Sequence, residues 1–413
     1  MVDVITQAKR ARDAANDIRL IESNKKNLFL ETLARLLEEH ITTILAENRK
    51  DLEVSAGLTP AMRRRLELSE KSIAGMIQGV RNVMALPDPV GQIVKTWTRP
   101  DGLIIKRVRT PIGVIACIFE SRPNVIIDVA SLCIKSGNAV IVRGGKEATN
   151  SNNAFMAVIA QALAKARLPE YAVQQLEDRR YEAITELVQL EEYLDLVIPR
   201  GREDLIRAVS AHARVPVIKH MRGLCHAYID EDADIEKAVK IAVNAKTSNP
   251  ATCNAIETLL VHQRVAGAVL PRLLDELVKS GVEIRGCSRT CAYHASCKPA
   301  REEDWSTEYL DLILSVRVVD SFEEALAHIA RYSSGLTDSI VTENKGHADE
   351  FLKRVDSATV LVNASNRLTD GGEFGLGGEI GISTARIHMR GPMGLEDLTV
   401  TKYVVIGNGH IRE

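Results

Sequence analysis

The amino-acid sequence predicts an α/β protein built around a parallel sheet. The first observation is a set of short, continuously apolar runs, such as residues 113–119 and 139–142, which are typical of parallel strands buried on both faces. The second is that segments with the apolar spacing of helices separate these runs. Alternation of this kind predicts a doubly wound sheet of the nucleotide-binding type.

Length and composition limit the class of protein. A chain of 413 residues is too long for one small core, so we expect two domains. The net charge of −2 excludes a general affinity for nucleic acid or for an anionic membrane. The N-terminus lacks the apolar core of a signal peptide, and no apolar run approaches the ~20 residues that span a bilayer. We therefore predict a soluble, cytoplasmic protein.

The cysteines point to the same compartment. The seven cysteines lack the spacing of a disulfide framework and predict reduced thiols in a cytosolic protein. The spacings within the cluster of Cys287, Cys291 and Cys297 fit no standard zinc site. We expect loose thiols in this cluster and predict no metal.

The first part of the chain, residues 3–86, is predicted to be almost entirely helical. Apolar side chains recur there at helical spacing, at Leu33, Leu36, Leu37, Ile41, Ile44 and Leu45. Gly57 and Pro60 interrupt the pattern, and a new helix is expected to begin near Ser69. The arginines at positions 63–65 are assigned to a solvated helix face, because no aromatic residues are interleaved with them.

Two extended segments follow a different pattern. Residues 91–109 are strand-like, with Pro100, Asp101 and Gly102 as the turn of a hairpin. Residues 398–406, near the end of the chain, are also strand-like. From the residues alone, the first segment is equally compatible with an ordinary edge hairpin.

The α/β series begins at residue 113. After the first strand, Ser121 is expected to cap a helix that has Pro123 in its first turn and stops at Gly137. The second strand leads into a helix that reaches about Ala166. Further strands are predicted at residues 172–174, 194–198 and 215–218, and a second α/β unit is predicted after Asp230, with helices at 266–280 and 321–331 and strands at 313–319 and 357–362.

Cys253 stands out as a candidate nucleophile. A helix-patterned run, residues 234–245, ends shortly before it, and a strand-like run, residues 256–261, follows it. Asn249 and Pro250 place a polar turn between the two elements. A thiol in such a loop is accessible to a substrate and to backbone N–H groups, as a covalent thioester step requires. The alternative is a small core hydrophobe, which is the commoner role of a single cysteine.

No Gly-x-Gly-x-x-Gly sequence follows a strand, so a finger-type dinucleotide site is not predicted. Arg143 and Lys146 instead place two cations at the carboxyl end of the second strand, where sheets of this type bind ligands. The alternative is a surface turn with unrelated charges.

Four sequence segments, taken with residues 246–258 around Cys253, carry a resemblance to a known family. They are Glu-Ser-Arg-Pro-Asn-Val at 120–125, Arg-Gly-Gly-Lys-Glu at 143–147, Gly-Gly-Glu-Phe-Gly-Leu-Gly at 371–377 and Leu-Ser-Val at 314–316. With these segments the chain resembles the gamma-glutamyl phosphate reductases, or glutamate-5-semialdehyde dehydrogenases, of the aldehyde dehydrogenase superfamily. The resemblance extends from the N-terminal helices to the last residues.

The resemblance implies an architecture and an activity. Residues 1–97 and 110–230 would form the cofactor domain, residues 231–393 the catalytic domain, and residues 98–109 and 394–413 an oligomerisation ribbon. The activity would be NADPH-dependent reduction of L-glutamyl 5-phosphate to L-glutamate 5-semialdehyde and phosphate, the second step of proline biosynthesis. The expected assembly is a homo-oligomer, either a dimer or a tetramer, and an association with glutamate 5-kinase is left open.

The resemblance also assigns roles to single residues. Cys253 would be the nucleophile, and Asn124 would donate its amide N–H to the developing oxyanion. The predicted cofactor residues are Lys146 on the adenosine ribose, Arg143 on a 2′-phosphate, Arg200 and Gly201 near the pyrophosphate, and Glu308 on the nicotinamide ribose. The predicted substrate residues are Arg122, His226, Asn366 and Arg367, of which Arg122, Asn366 and Arg367 are the candidates for the leaving phosphate.

One departure from the superfamily is informative. Aldehyde-oxidising members carry a glutamate that activates water for thioester hydrolysis, whereas residues 219–226 of this chain contain no carboxylate. This difference argues against the first alternative, an aldehyde dehydrogenase that releases free acids. Retention of Cys253, Asn124, Lys146 and Glu308 argues against the second, a non-catalytic relative.

Overall fold

A computed structural model describes residues 2–54, 57–58, 60–219 and 221–412. The helices of four or more residues in this part of the chain are α1 (Val4–Ile18), α2 (Ser23–Glu39), α3 (Ile41–Val54), α4 (Pro60–Leu66), α5 (Glu70–Ala85), α6 (Val125–Lys135), α7 (Thr149–Ala166), α8 (Tyr181–Leu187), α9 (Glu203–His212), α10 (Ile235–Thr247), α11 (Gln263–Lys279), α12 (Ser288–Cys291), α13 (Phe322–Tyr332) and α14 (Lys345–Arg354). None of the described helices combines the length and the apolar character that crossing a bilayer requires.

The strands alternate with these helices from residue 93 onward. They are β1 (Ile93–Thr98), β2 (Ile104–Pro111), β3 (Val114–Phe119), β4 (Ala139–Arg143), β5 (Val173–Gln175), β6 (Leu196–Arg200), β7 (Cys225–Ile229), β8 (Ile256–His262), β9 (Glu283–Gly286), β10 (Lys298–Pro299), β11 (Ile313–Val319), β12 (Thr337–Val341), β13 (Thr359–Val362), β14 (Gly381–Ser383), β15 (Gly391–Met393) and β16 (Thr399–Ile406). The predicted α/β class is confirmed.

The chain forms two compact units. The first contains Met1–Lys219, Gly375–Gly381 and Pro392–Glu413, and the second contains His220–Phe374 and Ile382–Gly391. The predicted cofactor and catalytic domains meet at residue 230, whereas the compact units divide at residue 219. The difference arises because β7, which the sequence analysis did not predict as a strand, pairs with β8 and β12 of the second unit.

The first unit contains a four-stranded parallel sheet in the order β5-β4-β3-β6. Every residue of β3 is buried, as its continuous apolar sequence predicts. Five helices precede the strands, and α5 begins at the expected place because the Ser69 side chain accepts the backbone N–H of Ser72 at 3.2 Å. Helices α1 to α5 contain most of the described residues between 3 and 86, as the prediction of an almost entirely helical region requires.

Two local predictions in this unit were wrong. Ser121 does not cap α6, because its backbone has a φ of 42° and its hydroxyl donates to the Glu147 carboxylate at 2.6 Å. The helix begins after Asn124 instead. Residues 215–218 form a single bridge, between Val217 and Val197, and no strand.

A separate three-stranded antiparallel sheet, with the order β1-β2-β16, forms the ribbon of the first unit. The predicted turn at its tip is confirmed, since Gly102 has a φ of 89° and donates its N–H to Arg99 O at 2.9 Å. Strand β16 lies beside β2 over its whole length, from Thr399 opposite Pro111 to Ile406 opposite Ile104.

The second unit contains a seven-stranded parallel sheet with the order β10-β9-β11-β8-β7-β12-β13. Strand β8 lies near the middle and is buried along its whole length. The sequence analysis placed β8, β11, β13, α11 and α13 but missed β9, β10, β12 and α14. The missed segments are short or carry polar residues, so their apolar pattern is weak.

One cysteine prediction was wrong. Cys291 and Cys297 form a disulfide in the structure, so the cluster does not consist of loose thiols. The five other cysteines are not disulfide-bonded, and Cys117, Cys133 and Cys225 are buried. Burial raises the pKa of the Cys117 thiol to about 12, which keeps that side chain a neutral part of the core.

Candidate active site

Cys253 lies at the amino end of β8, in the loop that follows α10. Helix α10 begins where Asp234 accepts the Lys237 N–H at 2.9 Å, and it ends two residues beyond the predicted stop. Strand β8 begins at Ile256, as predicted. The thiol residue is half-buried, whereas Asn254 and Ala255 next to it are buried. The loop therefore holds Cys253 at the boundary between core and solvent.

The amino ends of three neighbouring strands converge around this loop. In the sheet order β11-β8-β7, Glu308 precedes β11, Cys253 precedes β8 and Gly223 precedes β7. Because parallel strands begin at the same edge of a sheet, these three segments lie side by side. The order of the strands in the sheet thus brings the candidate catalytic residues of the second unit together.

Gly223 fixes the backbone of Cys253 by close contact. A Cβ atom at Gly223 would lie 2.1 Å from the carbonyl oxygen of Cys253 and 2.6 Å from its Cα atom, so only glycine fits. The N–H of Gly223 donates to Glu308 Oε1 at 2.8 Å. Cys225 also contacts the main chain of Cys253, since its Sγ donates to the Cys253 carbonyl at 3.2 Å. Cys253 is thus held in place through contacts of its main chain.

Arg367 closes the other side of the loop. Its guanidinium donates to Ser248 Oγ at 3.3 Å and also to the side-chain oxygen of Asn254. The Asn254 amide in turn donates to Thr369 O at 2.8 Å. Arg367, a predicted substrate residue, is therefore half-buried, and its guanidinium contacts the nucleophile loop at Ser248 and at Asn254, the residue after Cys253.

A buried ion pair lies behind the loop. Lys246 Nζ donates to Glu257 Oε2 at 2.6 Å, and the N–H of Leu310 donates to Glu257 Oε1 at 3.1 Å. Burial raises the pKa of Glu257 to about 7 and lowers the pKa of Lys246, because both charges have lost most of their water. Glu257 links the end of α10 to the segment that carries Glu308.

Two predicted substrate residues are fully buried. His226 lies in β7, where its backbone N–H donates to Asp338 Oδ1 at 2.8 Å and its ring packs 5.4 Å from that of His328. The Asn366 amide donates to the carbonyls of His226 and Thr337 and accepts the Ser339 hydroxyl at 2.7 Å. Neither side chain reaches solvent, and these contacts are with the sheet and with segments packed on it. Their role toward the substrate stays a prediction.

The first unit places its predicted cofactor residues at the carboxyl ends of β4 and β6, on either side of β3. Arg143 and Lys146 line a small cavity of about 20 Å³ together with Arg179, which follows the neighbouring strand β5. Arg143 donates to Arg179 O at 3.0 Å, and burial lowers the pKa of its guanidinium. The three cations form the part of this edge best suited to a phosphate group.

Arg200 and Gly201 follow β6 at the same edge. Arg200 lies 3.7 Å from Glu379 Oε1 and is largely buried. A Cβ atom at Gly201 would lie 2.7 Å from both Glu120 and Leu205, so the backbone approaches these side chains closely. Arg200 therefore forms an ion pair with Glu379, and Gly201 lies in an exposed turn.

Asn124 and Arg122 lie at the carboxyl end of β3, just before α6. Both are half-buried. The Asn124 amide donates to Asp128 Oδ2 at 3.3 Å, and it makes no capping bond to its own helix. The amide is thus oriented by a side chain one helical turn away.

One group of side chains in the described part of the second unit has the spacing of a metal site. Asp230, Asp232 and His347 offer ligand atoms within 4.8 Å of one another. Asp230 already accepts hydrogen bonds from Tyr228, from Thr342 at 2.7 Å and from His347 at 2.8 Å. Asp230 is thus engaged with three side chains of the protein.

Comparison with known proteins decides the family. The sequence profile of the aldehyde dehydrogenase family matches residues 2–285. A gamma-glutamyl phosphate reductase from Moorella thermoacetica is 52% identical over all of this chain and 99% of its own length. The chain belongs to the gamma-glutamyl phosphate reductases of the aldehyde dehydrogenase family. The crystal structure of this reductase from Thermotoga maritima superposes with a TM-score of 0.95 at 46% identity and covers all of both chains.

The wider family shares the fold at low identity. An engineered glycolyl-CoA reductase with bound NADP+ is 16% identical, has a TM-score of 0.72, and the match covers 98% of this chain and 96% of that one. The aldehyde dehydrogenase-like fold predicted from the sequence is confirmed by these comparisons.

Sequence reasoning missed two residues that the structure brings to these edges. Gly223 gave no signal, since its importance lies in a contact with a residue thirty positions later in the chain. Arg179 could have been found, because it lies four residues after β5, in the loop at the carboxyl end of a predicted strand.

Proposed function

We propose that this enzyme reduces L-glutamyl 5-phosphate to L-glutamate 5-semialdehyde and phosphate with NADPH, the second step of proline biosynthesis. The full-length similarity to gamma-glutamyl phosphate reductases supports the activity. The structural observation that carries the proposal is the position of Cys253. This residue is half-buried in a loop, and Gly223 and Cys225 hold its main chain in place.

In the proposed mechanism, the Cys253 thiolate attacks the acyl carbon of the acyl phosphate. The carbon–oxygen bond to phosphate breaks, phosphate leaves with the electron pair, and the acyl group is held as a thioester. Asn124 is proposed to donate its amide N–H to the developing oxyanion, and one such donor lowers the barrier by about 3 kcal/mol. Arg122 and Arg367 are proposed to neutralise the leaving phosphate.

The family uses a nicotinamide cofactor, and our choice of NADPH rests on the cations of the first unit. Arg143, Lys146 and Arg179 surround one small cavity at the carboxyl end of β4, and their charges fit a 2′-phosphate. When bound, NADPH supplies the hydride that reduces the thioester. Arg200 and Gly201 are proposed to lie near the pyrophosphate, and Glu308 is proposed to hold the nicotinamide ribose.

The surroundings of the nucleophile suit an enzyme that avoids hydrolysis. No carboxylate occurs in residues 219–226, where aldehyde-oxidising relatives carry the residue that activates water. Two nearby carboxylates are engaged elsewhere, since Glu257 accepts from Lys246 and Leu310, and Glu308 accepts from Gly223. We therefore propose that the thioester is consumed by hydride in one direction and by phosphate in the other.

The reverse reaction tests the proposal. With L-glutamate 5-semialdehyde and NADP, phosphate-free enzyme should form NADPH only to about one equivalent per site, because residues 219–226 contain no carboxylate that could activate water. Adding phosphate should restore steady turnover, which absorbance at the NADPH band would follow. Steady NADPH formation with accumulation of glutamate in phosphate-free buffer would contradict it and would favour an aldehyde dehydrogenase that makes free acids.

We also propose a homo-oligomer, either a dimer or a tetramer, assembled through the ribbon. Strands β1 and β16 expose apolar side chains to an unusual degree, at Ile93, Val94, Trp97, Val400, Tyr403, Val405 and Ile406. Sedimentation of Tyr403→Arg should show a smaller species than the wild type. A complex with glutamate 5-kinase is part of the same proposal, since the acyl phosphate is labile, and co-sedimentation of the two enzymes would test it.

A further inference from the structure

The first unit contains a second cavity, and among its lining residues the reaction steps above use only Asn124. It has a volume of about 380 Å³ and lies between the end of α4, α5 and the first turn of α6. The charged and amide side chains in its lining are those of Arg64, Arg65, Glu67, Asn124 and Asp128. Because Asn124 is the proposed oxyanion donor, the cavity begins where the acyl carbon of the substrate is expected.

The charges of the lining have both signs. Arg64 and Arg65 contribute two cations, and Glu67 and Asp128 contribute two carboxylates. A site for a simple anion would not include two carboxylates, since each would repel the ligand. A wall that offers both signs matches a ligand that also carries both, and an α-amino acid head group, with its ammonium and carboxylate, is such a ligand.

The spacing along α6 fits the length of a glutamyl group. Asn124 and Asp128 are one helical turn apart on the same face, where Cβ atoms lie about 5–6 Å from each other. Their side chains touch, with Asn124 Nδ2 3.3 Å from Asp128 Oδ2. In a glutamyl group the carbon that carries the ammonium is three carbon–carbon bonds from the acyl carbon. An acyl carbon held at Asn124 would therefore place the ammonium within reach of Asp128.

The arginine side of the cavity is attached to the core. Asn48, which is 1% exposed, donates to Leu66 O at 2.9 Å and accepts the N–H of Leu68 at 2.9 Å. These bonds hold the chain on both sides of Glu67. Arg65 is half-buried and Arg64 is exposed. Of the two arginines, Arg65 is thus the better positioned to bind a ligand inside the cavity.

We propose that this cavity binds the amino-acid head group of the substrate, with Arg65 on the α-carboxylate and Asp128 on the α-ammonium. The inference rests on the proposed function and adds to it the residues that select an α-amino acid over a plain acyl phosphate. Arg64 strengthens the positive side of the cavity, and Glu67 strengthens the negative side.

Three aldehydes test each contact separately in the reverse reaction with NADP and phosphate. L-Glutamate 5-semialdehyde carries both groups, 5-oxopentanoate lacks the ammonium, and 4-aminobutanal lacks the carboxylate. The variants are Arg65→Met, with Arg65→Lys as the conservative change, and Asp128→Asn, which keeps the shape of the side chain. Arg63→Met is the matched control, because Arg63 donates to Leu52 O at 3.2 Å and does not line the cavity.

The pattern across substrates decides the result. Arg65→Met should lower kcat/KM roughly 10- to 100-fold for the two aldehydes with a carboxylate and leave 4-aminobutanal within about twofold, as expected for loss of a charge-assisted contact. Arg65→Lys should recover part of this loss. Asp128→Asn should lower kcat/KM at least tenfold more for the two aldehydes with an ammonium than for 5-oxopentanoate, whose smaller loss would report the contact of Asp128 with Asn124. Arg63→Met should resemble the wild type with all three.

Other patterns would overturn the inference. Equal losses with all three aldehydes would mean that Arg65 and Asp128 act only through the fold or through Asn124. Similar wild-type kcat/KM values for the three aldehydes would mean that no head-group site exists, while the reductase function would stand. Absence of NADPH formation by the wild type with glutamate semialdehyde and phosphate is a different result, which would reject the proposed function and this inference with it.

Discussion

The two parallel sheets of this protein present their site residues at opposite strand ends. In the first unit, Arg122, Arg143 and Arg200 come at or just after the carboxyl ends of β3, β4 and β6. In the second unit, Gly223, Cys253 and Glu308 come before the amino ends of β7, β8 and β11. The first arrangement follows the general rule for ligand sites in doubly wound sheets, and the second does not.

The difference also lies in how each edge is held. At the carboxyl edge of the first unit, long charged side chains surround a small cavity, and each contributes its own charge. At the amino edge of the second unit, backbone groups are packed against backbone groups, as Gly223 is against Cys253. We infer that cofactor binding at the first edge tolerates the loss of one charged side chain. Catalysis at the second edge depends on the position of every packed backbone group.

The largest effect is expected at the nucleophile itself. Cys253→Ala removes the only group proposed to form the thioester, so turnover should fall on the order of 10⁴-fold or more. Cys253→Ser should be almost as inactive, because an unactivated hydroxyl is a weak nucleophile. Steady-state rates and NADPH binding by fluorescence would check this, with binding expected to be nearly unchanged. An alanine variant that kept a tenth of the wild-type rate would exclude the covalent mechanism.

Gly223→Ala tests whether catalysis depends on the close backbone contact between Gly223 and Cys253. The added methyl group would displace Cys253, and a shift of about 1 Å at a catalytic group can lower kcat on the order of 10²-fold. Gly267→Ala is the control, since a Cβ atom there would meet only Tyr293 Oη at 3.9 Å. Normal kcat in the Gly223 variant, measured alongside the control, would show that the nucleophile loop is more tolerant than we infer.

A smaller and graded effect is expected at the cation edge. Loss of one charge-assisted contact of about 1.5–3 kcal/mol should make Arg143→Ala or Arg179→Ala weaken NADPH roughly tenfold or more relative to NADH. Arg180→Ala is the control, because Arg180 pairs with Asp178 at 2.5 Å and does not line the cavity. Cofactor titrations would measure both affinities. Equal losses for NADPH and NADH would place the 2′-phosphate elsewhere, with Arg200 as the next candidate.

The smallest effect concerns stability and pH at the buried pair behind Cys253. Glu257 has a folded pKa of about 7, above its usual 4.5, so the folded state binds more protons and its stability falls as pH rises through this interval. Lys246→Met removes the neighbouring cation and should raise this folded pKa further. The free energy of unfolding of this variant should then keep falling above pH 7, by up to about 1.4 kcal/mol per pH unit relative to the wild type.

Urea unfolding of Lys246→Met at pH 6, 7 and 8 would measure this slope. Lys237→Met is the control, because the pair of Lys237 with Glu343 is about half exposed and should show no such slope. A constant difference between Lys246→Met and the wild type at all three pH values would mean that Glu257 does not titrate in this range.

The sequence by itself determined the α/β class, most helix and strand positions in the first unit, and the loop that carries Cys253. These features are local: an apolar run, a helical stripe or a polar turn is decided by residues close together in the chain. Gly102 at the hairpin tip and Ser69 before α5 are examples, since their roles follow from their immediate neighbours.

Only the tertiary structure decided which residues stand together. It buried His226 and Asn366 within the second unit, paired Cys291 with Cys297, and placed Gly223 against Cys253. Each of these outcomes depends on strand order and packing between distant segments, which leave no periodic pattern in the sequence. For the same reason the opposite charges of Arg65 and Asp128 become a single cavity wall only when α4, α5 and α6 are packed together.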